Sequence, residues 1–292
     1  MEHGETRYFV PQPSHWPLVG AAALFLLMLG AGLLLNDQTM VGGYAFGIGL
    51  LSFVGMLFGW FGAVIGESRG GRYNDQVDAS FRWGMAWFIF SEVMFFAAFF
   101  GVLFSARHFA VPWLGGGGAK ALTHALLWPD FTATWPLLQL PDPARFTVAR
   151  AAMAAAGLPA VNTAILLSSG ATVTWAHWCL LAGQRRRLVV ALAATVALGL
   201  LFLGLQAHEY WDAYTLKNLR LSSGIYGATF YMLTGFHGAH VTIGALMLSV
   251  ILVRCARGHF TPTQHFAFEA VSWYWHFVDV VWLVLFVVVY LL

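Results

Sequence analysis

Glu92 is the residue of this sequence whose setting most demands a chemical reason, because Phe90, Val93, Met94, Phe95 and Phe96 surround it. It stands about 12 residues into an apolar stretch, roughly 18 Å of helix rise from where that stretch begins. An ionisable group at that depth is costly and needs a partner or a function. Two histidine-bearing patterns occur in similar surroundings: His237 with His240, and His276 with Asp279, each pair three residues apart. On a helix that spacing puts both members on one face. Neutral imidazole is a common ligand, so a metal or haem site is one chemistry these residues could serve. The other is a polar network, in which His276 and Asp279 bond each other and Glu92 takes a histidine partner, His240 before His237. A haem-bearing core needs several histidines at similar depth on several helices. Only two segments offer them here, which favours the polar network and assigns no catalytic residue and no metal ligand.

A second group of polar residues gathers at the edges of apolar stretches. Trp60, Glu67 and Ser68 close one, Arg82 and Trp83 open the next, and Arg254 ends a later one, with His259, Thr261 and His265 just beyond. Arg beside Trp at a helix end is ordinary interfacial anchoring. The same residues supply what an anionic lipid head group requires, a cation and several donors at phosphate depth. Composition alone favours anchoring.

The elements that must position these residues are membrane helices. Of 292 residues, 59% are hydrophobic and 10% charged, against about 25% charged in soluble domains. A spanning helix needs about 20 mostly apolar residues. Seven segments qualify: 17–35, 41–65, 80–107, 159–182, 188–210, 222–256 and 268–291. No run of short alternating strands points to a barrel. The first apolar run is longer than the core of a signal peptide and has no small-residue cleavage pattern, so it is expected to be a retained span. The glycines at 42, 43, 47, 49, 55, 59 and 62 read as a packing surface. Cys179 and Cys255 lack metal-type spacing and read as small apolar residues. A net charge of +2 with no basic stripe gives no reason to expect a nucleic-acid partner.

Arginines in the short loops set the expected orientation. Arg69 and Arg72, Arg185 to Arg187, and Arg254 with Arg257 all fall on the side of the N-terminus. That places the N-terminus in the cytoplasm and the C-terminus in the periplasm. The expected organisation is an N-terminal segment with a two-helix hairpin over 1–65, a cytoplasmic loop over 66–79, and a five-helix bundle over 80–292 with a long periplasmic loop at 108–158. Within that loop the alanine-rich stretch 144–156 is expected to form a short surface helix.

A family resemblance rests on two long blocks. One runs from Tyr226 and Gly227 through Thr234, Gly235, Phe236, His237 and Gly238 to His240 and Val241. The other runs from His265 to Glu269 and on through Trp273, Tyr274, Trp275, His276, Phe277, Val278, Asp279, Val280, Val281 and Trp282. His15-Trp16-Pro17, Arg82-Trp83-Gly84, Ser91-Glu92-Val93-Met94, Trp175-Ala176-His177 and Gln206 to Tyr210 add shorter ones. Together they make the chain similar to cytochrome c oxidase subunit III of the haem–copper oxidases over nearly its whole length. The resemblance implies an all-α, polytopic fold of seven helices, arranged as two plus five around a V-shaped, lipid-filled cleft. It implies no redox centre in this chain, with haem and copper in partner subunits, and bound phospholipids. It implies subunit I as the main contact, subunit II as a further partner, cytochrome c as donor to the complex, and a bacterial inner membrane as the location. It marks Glu92 as the family's carbodiimide-reactive carboxylate, and Trp60, Glu67, Arg254 and His259 as lining the head-group region. Phe61 replaces a common second Trp, Trp178 replaces a common second His, and the 108–158 loop is longer than usual. Two alternatives stand beside this reading: the equivalent subunit of a quinol oxidase, disfavoured by the presence of the first two helices, and a stand-alone transporter, disfavoured by the lack of inverted repeats.

Overall fold

A computed structural model describes residue 10 and residues 13–292 of the chain. The remainder of the polar segment ahead of the first span lies outside the described residues. Seven helices are long and apolar enough to cross a membrane, and no strand occurs among the described residues. They are α1 (Trp16–Leu35), α2 (Thr39–Arg69), α3 (Asp75–Ser105), α4 (Leu158–Leu181), α5 (Arg185–Thr215), α6 (Gly224–Ala256) and α7 (Phe266–Leu285). A helix satisfies its backbone polar groups internally, which is the condition for crossing hydrocarbon. Pro17 and Pro159 stand in the first turns of α1 and α4, where a missing N–H costs nothing. Beyond Ser105, α3 continues through a wide π turn, Ala106–Ala110, into Val111–Leu114. The wide turn stands beside Pro112, which has no N–H to continue the ladder.

Several helices run past the apolar stretches that reveal them. The loop expected over 66–79 is only 70–74, because α2 continues to Arg69 and α3 starts at Asp75. The Asn74 side chain accepts the Val77 N–H at 3.0 Å, and Asp75 and Asp78 occupy the first turn. These are ordinary helix-start devices, invisible to hydropathy because they are polar. Likewise α5 begins at Arg185, so Arg185, Arg186 and Arg187 form its first turn rather than a loop.

The surface helix expected over 144–156 is absent. Only Pro143–Arg145 make a single 3-10 turn, and residues 147–153 form an irregular strap paired with the α5–α6 connection. Thr147 N donates to Ser222 O at 3.1 Å and Arg150 N to Lys217 O at 2.8 Å. Lys217 Nζ donates to Ala152 O at 2.7 Å and Asn218 Nδ2 to Val148 O at 3.0 Å. Alanine's helix propensity is a weak preference, and these tertiary partners outweigh it. A helix does form in the loop, but earlier, at Ala121–Leu127.

The chain divides into two compact units at Arg82 and Trp83, within α3. In the first, α1 and α2 meet backbone to backbone. A Cβ at Gly49 would stand 2.7 Å from the Leu27 nitrogen, and one at Gly42 2.8 Å from the Leu34 nitrogen. Gly30 faces the Phe46 backbone in the same way, and Gly59 faces the Trp16 ring. Not every glycine of α2 belongs to this surface, since a Cβ at Gly43, Gly47, Gly55 or Gly62 would meet nothing within 4 Å among the described residues.

The second unit packs its later helices around Trp275 of α7, which is fully buried. Gly199 of α5 and Gly244 of α6 make room for the indole, each leaving only 2.8 Å for an added Cβ. The indole N–H donates to Ser169 Oγ of α4 at 2.9 Å. Trp282 repeats the device two turns on, donating to Thr163 Oγ1 at 2.9 Å. Cys179 and Cys255 are both free and buried.

Gly49→Val should force α1 from α2 and lower stability by about 1–3 kcal/mol. Gly55→Ala should change it by no more than about 0.5 kcal/mol. Unfolding in mixed micelles, followed by circular dichroism, checks both; equal effects would mean that Gly49 is not at a packed crossing.

Candidate functional site

Glu92 of α3 and His240 of α6 meet directly, Oε2 to Nε2 at 2.9 Å. The other ring nitrogen, Nδ1, lies 2.6 Å from the Phe236 carbonyl oxygen, one turn earlier on α6. A carbonyl only accepts, so Nδ1 carries a proton. The Nε2···Oε2 contact then needs one further proton. Whether that proton resides on nitrogen or oxygen, the pair as a whole is electrically neutral.

Aromatic rings pack on the histidine of this pair. Phe96 lies 5.0 Å from the His240 ring, nearly edge-on, and Tyr274 stacks parallel to it at 6.3 Å. The Tyr274 hydroxyl also donates to the His240 carbonyl at 3.3 Å. The seam continues along α3 through Phe88 against Tyr274, Phe95 and Phe99 against Phe236, and Phe96 against Phe277. The polar contact is thus set into a stripe of ring-to-ring packing that joins α3 to α6 and α7.

His237, the other candidate partner, does not share Glu92. It is fully buried, its ring stacked on Trp282 at 5.1 Å and edge-on to Phe202 at 5.9 Å. Neither of its ring nitrogens has a hydrogen-bond partner among the described residues. Its neighbourhood on α6 turns toward α5 and α7, whereas His240 turns toward α3.

His276 and Asp279 are neighbours, but not hydrogen-bonded. Their closest atoms, Nδ1 and Oδ2, are 3.7 Å apart, beyond hydrogen-bond length. His276 instead directs Nε2 to Thr174 Oγ1 of α4 at 3.2 Å. Asp279 is pressed against Gly170 of α4, where a side chain would collide with its carboxylate.

The residues expected at head-group depth stand at helix ends. In the first unit, Trp60 is half exposed and lies parallel to Phe61, at 6.1 Å. Glu67 accepts the Tyr73 hydroxyl at 2.8 Å. Burial, reinforced by that carboxylate, raises the Tyr73 phenol well above its ordinary pKa. Arg82 pairs with Asp78 one turn earlier at 2.8 Å. In the second unit, Arg254 is buried in the last turn of α6, its guanidinium carbon 4.3 Å from the Phe260 ring centre. The half-buried His259 returns its backbone N–H to the Arg254 carbonyl at 3.0 Å, closing the helix.

A further polar layer is one that the sequence did not single out. Glu209 of α5 is almost wholly buried and accepts the Tyr290 hydroxyl at 2.8 Å. Beside it, Asn162 Nδ2 of α4 faces Gln206 Oε1 at 3.4 Å. Tyr210 donates to Thr234 Oγ1 of α6 at 2.7 Å. In the sequence Glu209 stands out only as part of a motif near the end of a span. The available signal is the three-residue spacing of Gln206 and Glu209, which puts both on one face of α5.

Together these features define a polytopic helical membrane protein whose deep polar groups pair largely helix to helix. The family model described as cytochrome c oxidase subunit III matches residues 6–119 and 121–292. Curated relatives named cytochrome c oxidase subunit 3 align over 291 residues, 99% of this chain and 98% of their own length. The identity is 39% for that of Sus scrofa, 41% for that of Latimeria chalumnae and 40% for that of Squalus acanthias. The chain belongs to the cytochrome c oxidase subunit III family.

Tyr290→Phe should strip Glu209 of its donor and cost about 1 kcal/mol, in the range of interhelical hydrogen bonds within bilayers. Detergent unfolding midpoints of the variant and the parent protein check this. An unchanged midpoint would mean that Glu209 finds a second partner at no cost.

Proposed function

We propose that this chain is a non-catalytic subunit of a proton-pumping oxidase, that it braces subunit I, and that it holds phospholipids and supports proton uptake. Haem and copper reside in partner subunits, subunit II is a further neighbour, and cytochrome c feeds the complex. The seven spans and the family membership support a place in the membrane arm of such a complex. In a bacterial host this is the inner membrane. Arg69, Arg72, Arg185 to Arg187, Arg254 and Arg257 occur at or beside the connections after the second, fourth and sixth spans, which supports a cytoplasmic N-terminus and a periplasmic C-terminus.

The observation that carries the reading of Glu92 is its hydrogen bond to His240 at 2.9 Å. A carboxyl that meets a histidine of another helix at 2.9 Å, with aromatic rings packed on that histidine, is suited to a fixed structural contact. Its role is to hold α3 on α6, and support of proton uptake is indirect. The family's lipid role falls on Trp60 and Glu67 at the end of α2, Arg82 at the start of α3, and Arg254 and His259 at the end of α6. A buried guanidinium backed by an aromatic ring is suited to a phosphate group.

The test has two arms. A mild-detergent pull-down through this chain should bring down a large subunit with haem absorption. Loss of that partner under gentle conditions would contradict the subunit assignment. In the assembled oxidase, Glu92→Gln should keep the ratio of protons pumped per electron near normal, because the Gln amide N–H donates to a neutral His240. Glu92→Ala should loosen assembly more than it slows electron transfer. A collapsed ratio with assembly intact would make Glu92 a proton carrier. Arg254→Ala should lower the phospholipid retained per complex and hasten inactivation during turnover; unchanged values of both would leave Arg254 as an interfacial anchor only.

A further inference from the structure

Three side chains with no part in the proposed function converge where α4 ends and α7 begins. His177 lies in the last two turns of α4, His265 immediately precedes α7, and Glu269 lies in the first turn of α7. Glu269 Oε1 stands 3.5 Å from His265 Nε2 and 3.8 Å from His177 Nε2. One donor atom from each residue lies within 4.8 Å of the others. Among the described residues, this is the one such group of three. Nitrogen and oxygen ligands at ordinary zinc bond lengths are about 3.3 Å from one another around a tetrahedral ion. Two of the three separations are already near that figure.

The chemistry of the donors agrees with the spacing. Two imidazoles and one carboxylate suit Zn²⁺ and ions like it; Mg²⁺ and Ca²⁺ prefer all-oxygen shells. His265 is held in the right tautomer, because its Nδ1 faces the Thr261 carbonyl at 3.2 Å and must donate there. That leaves the Nε2 lone pair for an ion on the side of Glu269, and a ring N–H bonded to a backbone carbonyl is the outer-shell arrangement typical of metal-bound histidine. The four-residue spacing of His265 and Glu269 carries both ligands on one side of the start of α7, and Phe268 packs on the His177 ring at 5.5 Å. The His177 side chain is about a quarter exposed and the other two less, so an ion can enter a largely enclosed site. We propose that His177, His265 and Glu269 form a Zn²⁺ site, which fastens the end of α4 to the start of α7.

The test uses the full chain in detergent, stripped with a chelator and dialysed against buffered micromolar free Zn²⁺. The parent protein should hold one tightly bound zinc per chain, with two imidazole nitrogens in its X-ray absorption spectrum. His265→Ala and Glu269→Gln should each weaken that binding tenfold or more, and excess Mg²⁺ should not compete. His208→Ala, at an exposed histidine beside Asp212, should leave it unchanged. If either variant loses helical circular dichroism, His177→Ala takes its place. Zinc affinity equal in the parent and the ligand variants, or no tight zinc in a fully helical parent, would overturn the proposal and leave these residues an ion-pair cluster.

Discussion

A polar group carried into hydrocarbon has no water to fall back on, and the second unit is arranged around that constraint. Many of its deep polar side chains reach across to another helix. Glu92 ties α3 to α6, Trp275 and Trp282 tie α7 to α4, and Tyr210 ties α5 to α6. Thr172 and Thr195 join α4 to α5 at 2.8 Å. Each bond contributes little by itself in a bilayer. Their collective effect is on register, since sliding or rotating one helix would leave several groups unpartnered at once.

Apolar packing has a different part in the two units. Between α1 and α2, glycine permits contact of backbones, so the attraction is dispersion at close range. Around Trp275 the glycines of α5 and α6 instead receive a single large ring. Along α3 neither device is used. Phenylalanine rings stand against phenylalanine, tyrosine and histidine rings at 5–6 Å, which leaves α3 farther from its neighbours than a glycine crossing would.

Much of this was legible in the sequence for a simple reason: hydrocarbon length dictates span length, so seven apolar stretches give seven helices. What hydropathy could not locate were the ends, because Asn74, Asp75 and Arg185 to Arg187 extend helices as polar residues. The strap over 147–153 departs from the expected helix because alanine's local preference is the only signal in that stretch, while its partners at Lys217 to Ser222 are about 70 residues away. At the site, a three-residue spacing predicts one face of α6 for His237 and His240, yet the two diverge: His240 meets Glu92 of α3, while His237 is enclosed against Trp282. The same limit applies to His276, whose nearest polar acceptor is Thr174 on α4, not the Asp279 that its sequence position offers.

The neutrality of the Glu92–His240 pair has an electrical consequence. An elementary charge moved across a membrane holding 100 mV changes energy by about 2.3 kcal/mol, so a lone carboxylate deep in the span would be pulled according to its depth whenever the membrane energised. A pair whose charges sum to zero presents the field with a short dipole in place of a net charge. The fastening of α3 to α6 is therefore nearly blind to voltage, and keeps its strength whether the surrounding membrane is charged or discharged.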